Sequence, residues 1–156
     1  MNADVEARSA ILSYIDTNPI ATLGTINLDG SPHGAIVYVC TDISKPVVYF
    51  ITKTGTAKYK NLRADKHVSL TITHPTENST LQAQGTAEEI QDAQIIDDAM
   101  NRLTKLHVNA TDWLPPIAKI HAGAYVLVGI TLKWARLAEY EGMSIGDEHI
   151  FTQMSE

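Results

Sequence analysis

Asp29-Gly30 is the dipeptide that most limits what this chain can become. It stands between Ile20–Leu28 and His33–Thr41, two stretches rich in β-branched residues. An Asp-Gly pair tolerates the positive backbone angles of a tight hairpin, so the two stretches are expected to pair as antiparallel strands. A second turn-rich segment, Asp42-Ile43-Ser44-Lys45-Pro46, leads into a third strand, Val47–Thr52. Consecutive hairpins commit a chain to antiparallel pairing and argue against the β-α-β units of a doubly wound sheet. His33–Thr41 and Val47–Thr52 are apolar without alternation. That pattern means burial on two faces, either inside a barrel wall or against another subunit.

Later strands read differently. Val68–Thr73 alternates with Val68, Leu70 and Ile72 facing in, and Thr80–Ile90 alternates Leu81, Ala83, Gly85 and Ala87 against polar partners. Tyr125–Trp134, extending toward Tyr140, reads as a last long strand. Three helices are expected. Val5, Ile11, Leu12 and Ile15 share one arc at helical spacing over residues 3–17, where Asn18-Pro19 stops the helix. A short helix over Ala57–Ala64 follows Lys53-Thr54-Gly55-Thr56, which carries an N-cap hydroxyl. Asp92–His107 gathers Ile95, Ile96, Ala99, Leu103 and Leu106 on one side, and Asn109–Pro116 breaks it. Six antiparallel strands with few helices close best into a small barrel, which removes exposed edges. The expectation is a single α+β domain over residues 1–156, a six-stranded antiparallel β-barrel with flanking helices.

Composition limits what such a barrel does. With 44% hydrophobic and 19% charged residues the chain has a globular profile, not a disordered one. Its net charge of −6, from 12 Lys and Arg against 18 Asp and Glu, gives no strong positive field for nucleic acid or an anionic membrane. The longest apolar runs, Ala35–Cys40 and Val47–Ile51, fall far short of the roughly twenty residues of a membrane helix. No nucleic-acid or membrane partner is expected. Residues 1–19 lack a secretory pattern and Cys40 is the one cysteine, so a reducing cytoplasm is expected. In its apolar strand Cys40 reads as a small buried hydrophobe. Trp113 and Trp134 read as core or interface residues, and Asp92, Asp97 and Asp98 as a solvated helix face. The histidines at 33, 67, 74, 107, 121 and 149 form no H-x-x-x-H pair, so no metal site is expected.

The segment richest in chemistry is Thr52-Lys53-Thr54-Gly55-Thr56-Ala57-Lys58, followed by Asn61-Leu62-Arg63. A strand delivers Thr52, Gly55 lets the backbone turn closely, and hydroxyls with Lys58 converge on a helix start. Unbonded N–H groups and the helix dipole favour an anion there. The segment reads as a phosphate seat, with a plain strand-loop-helix connection and solvated lysines as the alternative. It is not a Walker A loop, since the Gly-Lys-[Ser/Thr] ending is missing.

Around that segment stand Ile20-Ala21-Thr22-Leu23-Gly24-Thr25 before Asp29-Gly30-Ser31-Pro32-His33, Val48-Tyr49-Phe50-Ile51-Thr52, Lys58-Tyr59-Lys60-Asn61-Leu62-Arg63 entering Val68-Ser69-Leu70, and Gln84-Gly85-Thr86-Ala87-Glu88. In this order and spacing the chain resembles the pyridoxamine 5′-phosphate oxidase-like superfamily of FMN-binding split β-barrels, above all its short, stress-protein-like members. The resemblance implies a Greek-key split barrel and a homodimer holding FMN between its subunits. It implies a phosphate site near Thr52, Thr56, Ala57 and Lys58, and an isoalloxazine ring along Ala35, Ile36, Val37 and Ile51. A flavin-dependent oxidoreductase with a small-molecule redox substrate is the implied activity. No general base stands out in the sequence, and hydride transfer to a flavin requires none.

The family's pattern often has arginines at the positions of Ala35 and Ala57 and a lysine at that of Cys40. Each missing charge-assisted bond removes roughly 1.5–3 kcal/mol of anchoring, and Lys53, Lys60 and Arg63 are the candidate substitutes. The run of tryptophan, glycines, arginine and histidine that binds pyridoxal phosphate in the true oxidase is absent. Glu141-Gly142-Met143-Ser144-Ile145-Gly146-Asp147-Glu148-His149 stands in its place. Vitamin B6 oxidation is therefore not expected, and residues 141–156 are candidates to cap a partner's flavin pocket. Two rival readings remain. One is a deazaflavin-dependent reductase on the same barrel; the other is a non-catalytic flavin- or haem-binding protein, with His121 or His149 as haem ligand.

Overall fold

The computed structural model describes residues 2–42, 44–74, 76–106, 123–142, 144 and 151–156. In chain order these form α1 (Ala3–Thr17), β1 (Ile20–Ile26), β2 (Pro32–Thr41), β3 (Val47–Lys53), α2 (Ala57–Ala64), β4 (His67–His74), β5 (Ser79–Glu89), α3 (Ala93–Thr104), β6 (Tyr125–Glu139) and β7 (Phe151–Ser155). The sheet runs β3-β2-β1-β4-β5-β6, and β3 pairs again with β6, so six antiparallel strands close into a barrel. After the β1-β2-β3 meander, β4 returns to lie beside β1, which is Greek-key connectivity. The expected α+β split barrel with three flanking helices is what forms. No described helix is long and apolar enough to cross a membrane.

The first hairpin forms with a different turn from the one expected. Asn27 N–H donates to the Ser31 carbonyl and Gly30 N–H to the Asn27 carbonyl, each at 2.8 Å. Gly30, at φ 86°, has a positive angle and Asp29 does not, so the loop is a three-residue turn ending on Gly30. Leu28, expected in the strand, is its exposed tip. Asp29 accepts from the Ser31 hydroxyl and amide, which hold its carboxyl below the usual range.

Leu23, Val39, Val48, Phe50, Leu70 and Ile130 are among the side chains that fill the barrel, joined by Ile11 and Ile15 of α1. The two-faced burial expected of β2 holds only from Val37 onward, and there and along β3 it is met within one chain. Cys40, Tyr49 and Leu127 point outward, and α3 covers them with Ala99 and Leu103. The cover at that end is thus a helix and not a second subunit. Arg102 ties α3 down. Its Nη1 donates to the Thr41 carbonyl at 2.6 Å, while Asp16 of α1 accepts from the Thr41 amide at 2.9 Å and hydroxyl at 2.6 Å. Gly85 marks a close approach, since a Cβ there would collide with the Thr131 carbonyl oxygen. At the same place β6 gains an extra residue, Lys133, between Leu132 and Trp134.

A seventh strand was not expected. β7 pairs with β6 from Phe151↔Ala138 to Ser155↔Trp134, along the part of the edge beyond β3. Five residues with one buried side chain, Met154, carry too faint an alternation to read from sequence. Residues 151–156 are thus part of this chain's own sheet, and the remainder of the tail expected to cap a partner lies mostly outside the described residues.

The cover that α3 provides generates two expectations. Leu103→Ala should lower unfolding stability by about 2–5 kcal/mol in urea denaturation, because Leu103 is fully buried on the barrel wall. Burial pushes the Cys40 thiol up to about 12, against the opposing pull of Arg102. Cys40 should therefore resist iodoacetamide at pH 8 in the folded protein and react once urea unfolds it.

Candidate functional site

β3 pairs with β6 along its whole length, from Val47↔Thr131 to Lys53↔Tyr125. With β2 it pairs at three positions, Thr41↔Val48, Cys40↔Tyr49 and Val39↔Phe50. Beyond Val39 and Phe50 the two strands part. β2 stays with β1 and β3 stays with β6, leaving an opening between Ala35–Val37 and Ile51–Lys53. Ladder parity decides which peptide groups face that opening. Val39 N–H donates to the Pro19 carbonyl, so Val37 and Ala35 bond toward β1 and Ile36 turns its peptide groups away. Thr54 N–H donates to the Ala124 carbonyl, so Thr52 bonds toward β6, and Ile51 turns toward β2 with its carbonyl facing the opening.

The structure brings the four expected ring residues to this opening, but not to one face. Val37 is buried in the barrel core and half-buried Ala35 shares its side, whereas Ile36 points outward and is 54% exposed. Ile51 also points outward, half-buried beside the α3 cluster. A flat ring here would meet the peptide edges of Ile36 and Ile51 and their apolar side chains. Trp134 lies far along β6, under the Arg136 guanidinium at 5.4 Å.

At the other end of the opening stands the start of α2. Thr52 is fully buried, and its hydroxyl lies 3.0 Å from that of Thr56. The Thr56 hydroxyl donates to the Lys53 carbonyl at 2.8 Å and accepts the Tyr59 amide at 3.4 Å as N-cap of α2. Both hydroxyls thus hold the helix start in place instead of facing a ligand. Other donors remain. Among the described residues no acceptor meets the Ala57 or Lys58 N–H group. Nor does any carboxylate pair with the Lys58 ammonium, which burial holds below the usual lysine range. A partly desolvated ammonium carried by the first turn of a helix with two unbonded N–H groups is a donor set that suits a phosphate.

The candidate substitutes lie elsewhere. Lys53 turns its ammonium over the Tyr125 ring at 4.5 Å. Lys60 is exposed, and Arg63 is exposed in the last turn of α2. Asn61, quoted in the sequence without a role, is the buried residue of α2 and donates through Nδ2 to Thr25 Oγ1 at 3.0 Å and Asn27 Oδ1 at 2.9 Å. Its signal was a polar residue on the helix face that also carries Lys58, which spacing alone does not separate from a solvated side chain. His107, Trp113, His121 and His149 lie outside the described residues. Among the described residues no three His, Cys, Asp or Glu gather as metal ligands.

Comparison with known proteins follows the same fold. The protein is similar in structure to General Stress Protein 26 from Bacillus anthracis, at 17% identity and TM-score 0.61 over 83% of this chain and 92% of that one. A general stress protein 26-related protein of the pyridoxinephosphate oxidase family from Clostridium acetobutylicum matches at 16% identity and TM-score 0.59, covering 90% and 92%. A heme binding protein from Mycobacterium smegmatis matches at 16% identity and TM-score 0.65, covering 99% of this chain and 58% of that one. At such identities these three establish the fold alone. No curated protein sequence matches significantly. The family model of pyridoxamine 5′-phosphate oxidase, however, matches residues 7–138, from within α1 to one residue short of the end of β6. The chain belongs to the pyridoxamine 5′-phosphate oxidase family.

Proposed function

We propose that the protein binds FMN in the opening between β2 and β3, between two copies of the chain, and acts as a flavin-dependent oxidoreductase on a small molecule. One observation carries this reading. The peptide edge of Ile36 and Ile51 leads to the α2 start, where Ala57, Lys58 and the Lys58 ammonium meet no acceptor among the described residues. When bound, FMN supplies two-electron hydride chemistry. The chain's part is to hold and orient it. Lys58 and the α2 dipole offset the phosphate charge. Ile36 offers its peptide groups and Ile51 its carbonyl to the ring edge, and both offer methyl groups to its face.

A twin subunit is part of the same reading. Ile20, Ile36 and Tyr125 are 38%, 54% and 49% exposed on the outer wall that α3 leaves bare. A second copy of the chain would bury them and supply the other wall of the cofactor site. A cytoplasmic place of action also belongs to this reading, supported by a lone cysteine that is free and buried.

The purified protein titrated with FMN should take on a bound-flavin absorption spectrum at one flavin per chain. Lys58→Ala should weaken FMN at least tenfold, about 1.4 kcal/mol. Unchanged affinity would remove the phosphate from α2, and binding of haem or a deazaflavin with no FMN bound would replace the cofactor assignment. Light scattering should give a dimer that Ile36→Asp converts to monomer with loss of flavin. A monomeric, flavin-binding wild type would rule out the shared site.

A further inference from the structure

The start of α2 carries the phosphate donors, yet α2 has little apolar surface to fix its orientation. Leu62 is its one hydrophobic side chain packed against the barrel core, and Asn61 its one buried residue. Three polar contacts hold the helix instead, one of them from the Tyr59 hydroxyl to Glu89 of β5 at 2.9 Å. At its start the Thr52 hydroxyl meets Thr56, and one turn further the Asn61 amide bonds Thr25 and Asn27. Thr25 is itself buried, and Asn27 is the residue that closes the β1–β2 hairpin onto Ser31. That hairpin leads directly into Ala35–Val37. The Asn61 carboxamide therefore joins the element holding the Lys58 donors to β1 and to the turn that leads into the wall of the opening.

We propose that Asn61 is a positioning residue that sets the distance between the α2 start and β2, and so gives the site its preference for a flavin with a terminal phosphate over one without. This inference rests on the FMN reading above. Without its two hydrogen bonds α2 keeps its N-cap, its Leu62 contact and the Tyr59–Glu89 bond to β5, but loses its anchor on the β1–β2 side, so the Ala57 and Lys58 donors shift while the edges of Ile36 and Ile51 stay. Phosphate binding should suffer and ring binding should not.

Affinities for FMN and for riboflavin, measured side by side by quenching of flavin fluorescence, test this. The wild type should prefer FMN. Asn61→Leu, close to Asn in size and without its donors, should weaken FMN about tenfold and riboflavin less than twofold. General damage to the barrel would weaken both alike, and that result overturns the proposal. Asn27→Ala, at a half-buried position beside the exposed hairpin tip, removes one of the two acceptors and guards against a poorly folded Asn61→Leu. It should produce a smaller loss of the same phosphate-selective kind, and an unchanged FMN-to-riboflavin ratio would again overturn it. A wild type that binds neither flavin defeats the FMN reading and this inference together. A wild type that prefers FMN, with a preference untouched by either variant, defeats this inference alone.

Discussion

Strand β3 has two edges, and the way it divides them governs the molecule. All seven of its residues pair with β6, and three pair with β2. The first ladder closes the barrel around Phe50, Val48 and their neighbours. The short second ladder leaves the peptide groups of Ile36 and the carbonyl of Ile51 without a strand between them. In a fully paired barrel no such edge would exist. The opening is thus the counterpart of the closure, produced by the same strand, and the α2 helix that follows β3 sets its donors at the mouth.

Most of the fold was legible because its signals are local. The turn at Gly30, the alternation of β4 and β5, the hydroxyl of Thr56 and the apolar stripe of α3 each reveal an element within a dozen residues. What covers β2 and β3 was not legible, since unbroken apolar strands look the same under a helix as under a second subunit. Only the packing of Ala99 and Leu103 on Cys40 and Tyr49 separates the two. β7 escaped because a five-residue edge strand with one buried side chain has almost no period.

The candidate site was legible in place but less so in detail. The segment from Thr52 to Lys58 does lie where a strand hands over to a helix start. Sequence could not tell that the Thr52 and Thr56 hydroxyls spend their hydrogen bonds on each other and on the helix cap, or that Lys53 turns toward Tyr125. Those outcomes depend on where neighbouring strands lie. Ile36 and Ile51 fall on the opening through the parity of two different ladders, a property no single stretch of sequence contains. Asn61 is the counterpart case, visible as a residue and invisible as a bridge.

The ladder between β3 and β6 joins residues 72 to 84 positions apart in sequence. Contacts that distant form late in folding, because the chain must close a long loop before they repay its entropy. Until then Val47-Val48-Tyr49-Phe50-Ile51-Thr52, an uncharged run of strong strand formers, waits with a bare edge. Such segments associate with copies of themselves when left uncovered. The arrival of β6 therefore does more than complete a wall: it covers the edge of an apolar strand that would otherwise be open to pairing with another chain.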